Sequence, residues 1–196
     1  MKKLWIAALL IAALALAGCS AVGTQPDPEA TPLPPLTARM FETRDEAFAM
    51  YDQVTFSDTL ESLTERFGEP RVETSDNGSA YYWNDGTCGV AVVFFENGRM
   101  RSKLVDFEDI RQFGKVSGAK GLDNIMSMSK DFDLTSVSLM LGAEGVEMIR
   151  VAQDSSANPD FNVGYIWANE EGQAAMVLFN KKGTIEQVSY SLDKTE

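Results

Sequence analysis

Few residues of this 196-residue chain have the types and spacing that catalysis requires. Histidine is absent, which removes the usual general base near neutral pH and excludes hydrolases of the Ser-His-Asp kind. Ser127 and Lys130 match the Ser-x-x-Lys pattern of penicillin-recognising enzymes, but the companion Ser-Asp-Asn and Lys-Thr-Gly patterns are missing. The sequence therefore indicates a non-catalytic protein, and a serine hydrolase acting through Ser127 and Lys130 is the alternative from the enzyme class.

Metal and thiol chemistry have weak signals. Asp154, Asn158 and Asp160 fall in one polar loop, but their spacing does not match a calcium-binding loop, and the commonest zinc ligand is absent with histidine. Cys88 begins an apolar stretch without a nearby basic residue, so we interpret it as a small core residue rather than a reactive thiol. We therefore predict no metal and no cofactor.

The N-terminus has the pattern of a targeting segment. Two lysines precede an uncharged apolar run from Leu4 to Ala17, whose 14 residues fall short of the about 20 that span a membrane, so we assign residues 1–18 to a signal peptide. The sequence Leu-Ala-Gly-Cys at residues 16–19 resembles the lipobox of bacterial lipoproteins, whose cysteine receives diacylglycerol and becomes the first mature residue. The resemblance implies a lipid on Cys19, anchorage in the cell membrane and an extracytoplasmic location. An ordinary secretory signal is the alternative, and in a host with two membranes Ser20 would be consistent with outer-membrane sorting.

Cleavage before Cys19 would leave a strongly acidic protein. Only Lys2 and Lys3 lie in the signal, so 15 basic residues would face 29 acidic ones, a formal charge of −14. Such a surface is repelled by nucleic acid and by anionic lipid headgroups. We expect no nucleic-acid partner and membrane contact only through the lipid. With Cys19 modified, Cys88 has no disulfide partner, so an apolar core must stabilise the fold.

A proline-rich stretch follows the cysteine. Residues 20–37 contain five of the seven prolines, a composition typical of an extended tether that reaches roughly 50 Å at about 3.1 Å per residue. We assign residues 19–42 to this tether.

Helical patterns begin after the tether. Thr43 and Glu46 fit the capping box of a short helix, and Leu60, Leu63 and Phe67 form an apolar stripe on a second helix that ends at the next glycine.

Strands follow the second helix. The dipeptides at residues 77–78, 85–86 and 97–98 are Asn-Gly, Asp-Gly and Asn-Gly, which favour tight hairpin turns. They predict four antiparallel strands near residues 71–75, 79–84, 88–96 and 99–106. The same order then recurs, because a shift of 74 residues carries the helical stripe onto Leu134, Val137 and Leu141, and the Tyr-x-Trp of residues 81–83 returns at 165–167. The Tyr-x-Trp motif recurs after a shift of 84 residues. The same shift also aligns residues of the apolar strand that follows each motif: Ala91 with Ala175, Val93 with Val177 and Phe95 with Phe179.

We therefore predict an α+β fold of two tandem repeats, residues 43–112 and 113–196, each with two short helices packed on a four-stranded antiparallel meander. This order of elements is similar to the β-lactamase-inhibitor-protein-like (BLIP-like) units, which are shared with the SmpA/OmlA outer-membrane lipoproteins and with an uncharacterised domain of Gram-positive lipoproteins. The second repeat resembles the last of these most closely, although TFSDT and DFDLT stand where the family usually has Gly-Met-Thr. The resemblance implies a lipid-anchored, non-enzymatic, protein-binding module.

Candidate contact residues lie on the repeated strands and at their tips. The tyrosine and tryptophan of each Tyr-x-Trp project to one face of a strand, where they could belong to the core or contact a partner. In inhibitory BLIP-like proteins the sheet and its hairpin loops carry the contacts, which implies a role for the tips, although turn chemistry alone also explains an Asp-Gly pair. The candidate partner-binding residues are Tyr81, Trp83, Asp85, Tyr165, Trp167 and Glu170.

The third strand of each predicted repeat is apolar on both of its faces. The second face is either buried or an open apolar surface for a partner, and we expect burial. From these patterns we expect a lipid-anchored extracytoplasmic module that binds or assembles an envelope or secreted protein. The alternative function is inhibition of a secreted or envelope hydrolase, with a hairpin tip entering the enzyme's cleft.

Overall fold

The computed structural model describes residues 39–76, 78–86 and 88–191. The predicted signal peptide, Cys19 and residues 19–38 of the tether lie outside these ranges, as does Asn77 of the first predicted turn. The α-helices are α1 (Arg44–Phe48), α2 (Leu60–Phe67), α3 (Gly114–Ser117) and α4 (Leu134–Leu141), with 3₁₀ turns at Tyr51–Gln53, Ile110–Phe113 and Leu122–Ser127. The strands are β1 (Arg71–Ser75), β2 (Gly78–Asn84), β3 (Gly89–Phe94), β4 (Met100–Asp106), β5 (Val146–Ala152), β6 (Phe161–Ala168), β7 (Ala174–Phe179) and β8 (Ile185–Ser191).

The helices begin and end at the residues that their sequence signals favour. The Thr43 side chain accepts a hydrogen bond from the Glu46 amide at the start of α1. Helix α2 begins with a reciprocal capping box between Thr59 and Ser62 and ends at Gly68, whose φ of 85° favours glycine. Both helices predicted before the first strand are therefore confirmed.

The eight strands form one antiparallel sheet in chain order, each paired with the next. The α+β class and the meander are confirmed, and the four strands predicted for the first half agree with β1 to β4. The two halves of the sheet meet where β4 pairs with β5, although residues 107–145 separate the two strands along the chain. Three residue pairs form this junction: Ser102 with Val151, Lys103 with Arg150, and Leu104 with Ile149.

The helices pack on one side of the sheet, which we call the helix face. Residues paired directly across neighbouring strands share a face, so Trp83 lies on the same side as Val90 and Val105. Phe67 of α2 packs against Trp83 with ring centroids 6.3 Å apart. On the other half, Trp167 belongs to a core cluster with Val137 and Leu141 of α4. Both halves therefore use the same side of the sheet for their helices.

The opposite face of β3 is also buried. Ala91 and Val93 point away from Val90 and Val92, yet all four are at most 9% exposed. The expected burial of both faces is confirmed for this strand. In β7 the side chains opposite the helix face include Met176 and Leu178, which are only half-buried.

The strand register corrects the alignment of the two halves. Tyr81 pairs with Val92, whereas Tyr165 pairs with Val177, so Val92 rather than Val93 corresponds in position to Val177. The shift between β3 and β7 is therefore 85 residues, not the predicted 84. The physical reason is the turn, because six residues separate the paired Trp83 and Val90 but seven separate the paired Trp167 and Ala175.

The folded region begins before the predicted end of the tether. Phe41 is 2% exposed and its amide donates to the Gln112 carbonyl at 2.9 Å. The Gln112 side chain donates in turn to the Arg39 carbonyl at 2.8 Å. Residues 39–42 therefore belong to the core and its rim, which corrects the tether boundary at residue 42. The sequence did not predict this, because a single phenylalanine after a proline-rich stretch forms no periodic pattern. No helix in the described ranges is long and apolar enough to cross a membrane.

Replacing Gly164 should reveal how closely the central strands approach. An alanine Cβ there would lie 2.2 Å from Cγ2 of Ile149 on the neighbouring strand, so Gly164→Ala should reduce the free energy of unfolding by about 1–3 kcal/mol in urea titrations. Ile149→Ala alone should cost about 2–5 kcal/mol because it leaves a cavity. In the double variant the new methyl group occupies that cavity. The loss of unfolding free energy in the double variant should therefore be smaller than the sum of the losses in the two single variants. Additive costs would contradict the contact.

Candidate functional site

The two tryptophans of the Tyr-x-Trp motifs are core residues. Trp83 is 3% exposed and its Nε1–H donates to the Gly68 carbonyl at 2.8 Å, just after α2. Trp167 is fully buried and its Nε1–H donates to the Ala143 carbonyl at 3.0 Å, just after α4. Each indole thus ties the end of a helix to the sheet. This arrangement matches the core role that the sequence left open, and it leaves neither ring presented to a partner.

The two tyrosines of these motifs are half-buried beside the tryptophans. Tyr81 packs edge-on against Phe94 with centroids 5.8 Å apart, and Tyr165 packs the same way against Phe179 at 5.9 Å. Burial, followed by the nearby Glu147 carboxylate, raises the pKa of Tyr165. The tyrosines are therefore only partly accessible from solvent.

The two predicted tip residues are exposed and lie at the same end of the sheet. Asp85 follows β2 and Glu170 follows β6, and these strands run in the same direction because the sheet is an antiparallel meander. Four strand spacings separate the two tips, which is roughly 19 Å at about 4.8 Å per strand. The structure therefore places Asp85 and Glu170 at the same end of the sheet but not in contact with each other.

A cleft of about 600 Å³ adjoins the tip that carries Asp85. Its walls combine two phenylalanines with polar and charged side chains of both signs. The lining residues are Arg39, Phe41, Glu46, Arg71, Asn84, Gly86, Asp106, Phe107, Glu108 and Gln112. Arg39 and Glu46 form an ion pair at 2.7 Å across one wall. A cleft of this composition suits a polar segment that carries both positive and negative groups.

Asp106 is the most unusual group in this cleft. Burial raises its pKa, while a hydrogen bond from Nδ2 of Asn84 at 3.2 Å and the charge of Arg71 oppose the increase. Gly89 makes the contact sterically feasible, because a Cβ there would lie 2.9 Å from both the Asn84 Nδ2 and the Asp106 Cβ. A carboxyl group with a raised pKa in a cleft is a common property of functional sites. The sequence gave no signal for Asp106, since only the fold brings it beside the tip.

Arg71 also lines the cleft. Its guanidinium lies 4.1 Å from the centroid of the Tyr82 ring and pairs with Glu73. Burial, followed by the Glu73 carboxylate, raises the pKa of Tyr82 to about 12. The phenol therefore stays neutral at physiological pH, and Arg71 is held over an uncharged aromatic face.

A second polar cluster lies on the helix face at the centre of the sheet. Lys103 donates to the carbonyls of Tyr51 and Val54 at 3.0 and 2.7 Å, and its Nζ lies 3.9 Å from the centroid of the Tyr51 ring. Tyr51 donates to Glu147 at 3.0 Å, and Glu147 accepts a two-point ion pair from Arg150. Burial lowers the pKa of Lys103 and raises that of Tyr51. This cluster ties the N-terminal segment to β4 and β5.

The weaker sequence signals fall on ordinary structural positions. Ser127 donates to the Asn124 carbonyl at 2.8 Å within its 3₁₀ turn. Asp154 accepts from the Ser156 amide, and Asp160 pairs with Lys181. Within the described ranges, no three His, Cys, Asp or Glu residues are grouped so that they could hold a metal ion. Cys88 is buried, and burial raises the pKa of its thiol.

Comparison with known proteins adds no relative to this picture. No protein-family model matches the chain, and no curated protein is significantly similar to it. The geometry of the tips and of the cleft therefore provides the basis for inferring a function.

The pKa of Asp106 predicts a specific pH dependence. A carboxyl group whose pKa is raised by folding stabilises the protein below its unfolded value, near 3.8, and this stabilisation is lost as the pH rises through the folded value. Asp106→Asn does not titrate, so its unfolding free energy relative to wild type should increase between pH 3 and pH 7. Urea titrations across this range measure the difference.

Asp58 is a matched control, because folding lowers its pKa whereas folding raises the pKa of Asp106. Burial opposes its ionisation, but hydrogen bonds from Thr55 and the ion pair with Arg66 at 2.8 Å lower its pKa overall. Asp58→Asn should therefore cost about 1.5–3 kcal/mol at pH 7, and the cost should shrink as the pH falls through the folded pKa. Parallel pH profiles for the Asp106 and Asp58 variants would contradict both assignments.

Proposed function

We propose that this protein is a lipid-anchored extracytoplasmic module that binds a protein partner at the cell envelope without catalysing a reaction. The observation that carries the proposal is the exposed β2–β3 tip at Asp85 beside a cleft lined with charges of both signs. The lipobox-like sequence before Cys19 and the proline-rich stretch after it support the location. The partner is an envelope or secreted protein.

Two hydrogen bonds constrain the described residues of the tip. The Gly86 amide donates to the Asn84 side chain at 2.7 Å, and the Cys88 amide donates to Oδ1 of Asp85 at 3.1 Å. Gly86 has a φ of 92°, a backbone conformation that favours glycine. Hydrogen bonds of this kind reduce the conformational entropy that a loop loses on binding, which favours affinity.

The proposal includes the duplication of one unit, related to the BLIP-like and SmpA/OmlA units. Matching contacts support it: each half has a helix that ends at a glycine, an indole bonded to a carbonyl beside that end, and a tyrosine packed edge-on against a phenylalanine. Their geometries agree closely, with Tyr–Phe centroid distances of 5.8 and 5.9 Å. Under this proposal the eight-stranded sheet consists of two four-stranded units joined edge to edge.

Site-specific crosslinking tests the binding surface. A photo-reactive amino acid placed at Asp85, and separately at Glu170, should give a discrete crosslinked protein in intact envelopes of the native host. The matched control is the same amino acid at Asp76, which is exposed at the opposite end of the sheet. Asp85→Asn, which keeps an acceptor for the Cys88 amide, should weaken the crosslink made from Glu170. Equal crosslinking from Asp76 would contradict a binding role for this end.

Inhibition of a secreted or envelope hydrolase is the second candidate function. It is favoured by the pre-formed, exposed carboxylate at the Asp85 tip, which could enter an enzyme's cleft. The purified protein should then suppress such an enzyme, and Asp85→Ala should relieve the suppression. Unchanged inhibition by the variant would exclude the tip as the inhibitory element.

Lipid attachment has its own test. Cells supplied with radiolabelled palmitate should label the wild-type protein, and Cys19→Ser should abolish the label and move the protein from the membrane fraction to the soluble fraction or leave it as uncleaved precursor. Cys88→Ser is the matched control and should keep the label, because Cys88 is buried. Labelling of the Cys19 variant would contradict the anchor.

A further inference from the structure

The face of the sheet opposite the helix face is apolar and buried at its centre. Ser102 pairs with Val93 on one side and with Val151 on the other, so these three side chains project from this face. Leu104 and Ile149 form the next pair along it. We call these five residues the far face, and all of them are at most 9% exposed although α2 and α4 pack on the other side. Such a face needs a second layer to bury it.

Ser102 has a hydrogen-bonding group without a partner. Its side chain is fully buried, and within the described ranges its Oγ makes no hydrogen bond. A buried hydroxyl left in this state costs about 1–3 kcal/mol. A covering segment with free backbone carbonyls would accept a hydrogen bond from it. Helices use most of their carbonyls internally, whereas a polyproline II segment has no internal hydrogen bonds, so Ser102 favours a cover of the second kind.

The N-terminal part of the chain enters the fold beside the far face. Asp106 lies on this face, two residues after Leu104 on β4. Arg39 lines the same cleft as Asp106, and Gln112 holds the Arg39 carbonyl at 2.8 Å. Along β4, Ser102 lies four residues from Asp106, which is roughly 13 Å at about 3.3 Å per residue. The residues immediately before Arg39 are therefore within reach of Ser102.

Residues 31–38, which precede the described ranges, have the composition of such a cover. They read TPLPPLTA, contain three prolines and carry no charge. Leu33 and Leu36 are three residues apart, so they project to the same side of a polyproline II helix, which has about three residues per turn. At about 3.1 Å per residue they would lie roughly 19 and 9 Å from Arg39, on either side of the position of Ser102. We call residues 31–38 the proline segment.

We infer that the proline segment docks across the far face in an extended conformation, with Leu33 and Leu36 against its apolar side chains and a backbone carbonyl accepting from Ser102. A segment joined to the fold beside its site has a high effective concentration there, which favours it over a partner in solution. A second copy is disfavoured by repulsion, because the chain carries a formal charge of −12.

This inference goes beyond the proposed function and depends neither on the tip at Asp85 nor on the lipid. The far face would be occupied by the chain itself, and a partner could use it only by displacing an uncharged, proline-rich segment. The free part of the tether would shorten to residues 20–30, which reach roughly 35 Å at about 3.1 Å per residue.

Thiol accessibility tests the inference. Ser102→Cys places a thiol at the centre of the far face, and its labelling by a maleimide is followed by mass spectrometry in protein purified from host membranes. The label should enter slowly while the proline segment is docked. Leu33→Asp with Leu36→Asp should speed labelling at least about tenfold, because charges on the apolar side of the segment oppose docking. Thr31→Asp with Thr37→Asp places two charges on another side of the segment and should leave the rate unchanged.

Cys88 separates local opening from unfolding. It is 2% exposed, so its labelling reports unfolding of the domain and should stay at the wild-type rate in every variant. If the charged variant unfolds, Leu33→Ala with Leu36→Ala should still raise the rate at residue 102 alone, by a smaller factor.

Three results would overturn the inference. Equal labelling of residue 102 in the two double aspartate variants would show that the leucines do not cover it. Protection that is lost on dilution would assign the far face to a second copy. Rapid labelling of the purified protein, with protection only in intact envelopes, would assign the face to a partner.

Discussion

The pairing of β4 with β5 is the interaction on which the rest of the structure depends. Only three residue pairs join these strands, and residues 107–145 separate them along the chain. The cluster around Lys103 lies over this junction on the helix face, where it ties the N-terminal segment to both strands through Tyr51 and Glu147. Without this junction the sheet would divide into two four-stranded sheets. The N-terminal segment, which lines part of the cleft, would then lose its contacts with β4 and β5.

The two buried tryptophans stabilise the fold and are not part of its accessible surface. Each indole occupies the helix face and satisfies the carbonyl at the end of a helix, so the largest aromatic side chains of the sheet stabilise the fold. Gly145 shows how tightly the second one is held, because a Cβ there would lie 2.4 Å from the Trp167 ring. Accessible polar groups are found instead at the hairpin tips and in the cleft.

The tip and the cleft are coupled through backbone geometry. Gly89 lets Asn84 and Asp106 approach each other at the base of the hairpin, and Asn84 also accepts from the Gly86 amide in the turn. Gln112 bonds to the backbone of residues 39 and 41, which brings the N-terminal segment against the same cleft. Short-range hydrogen bonds therefore connect parts of the chain that are far apart in sequence.

Periodicity and turn chemistry in the sequence by themselves determined the helices α1, α2 and α4, the strands of the first half and the repeated Tyr-x-Trp, because these depend on neighbours a few residues away. They did not determine that Trp83 and Trp167 are core residues, that Phe41 belongs to the folded region, or that the strands β3 and β7 align with a shift of 85. Asp106 and Lys103 gave no local signal either, since their surroundings come from distant segments. Only the tertiary structure decided these points, because side-chain burial and strand register depend on long-range pairing.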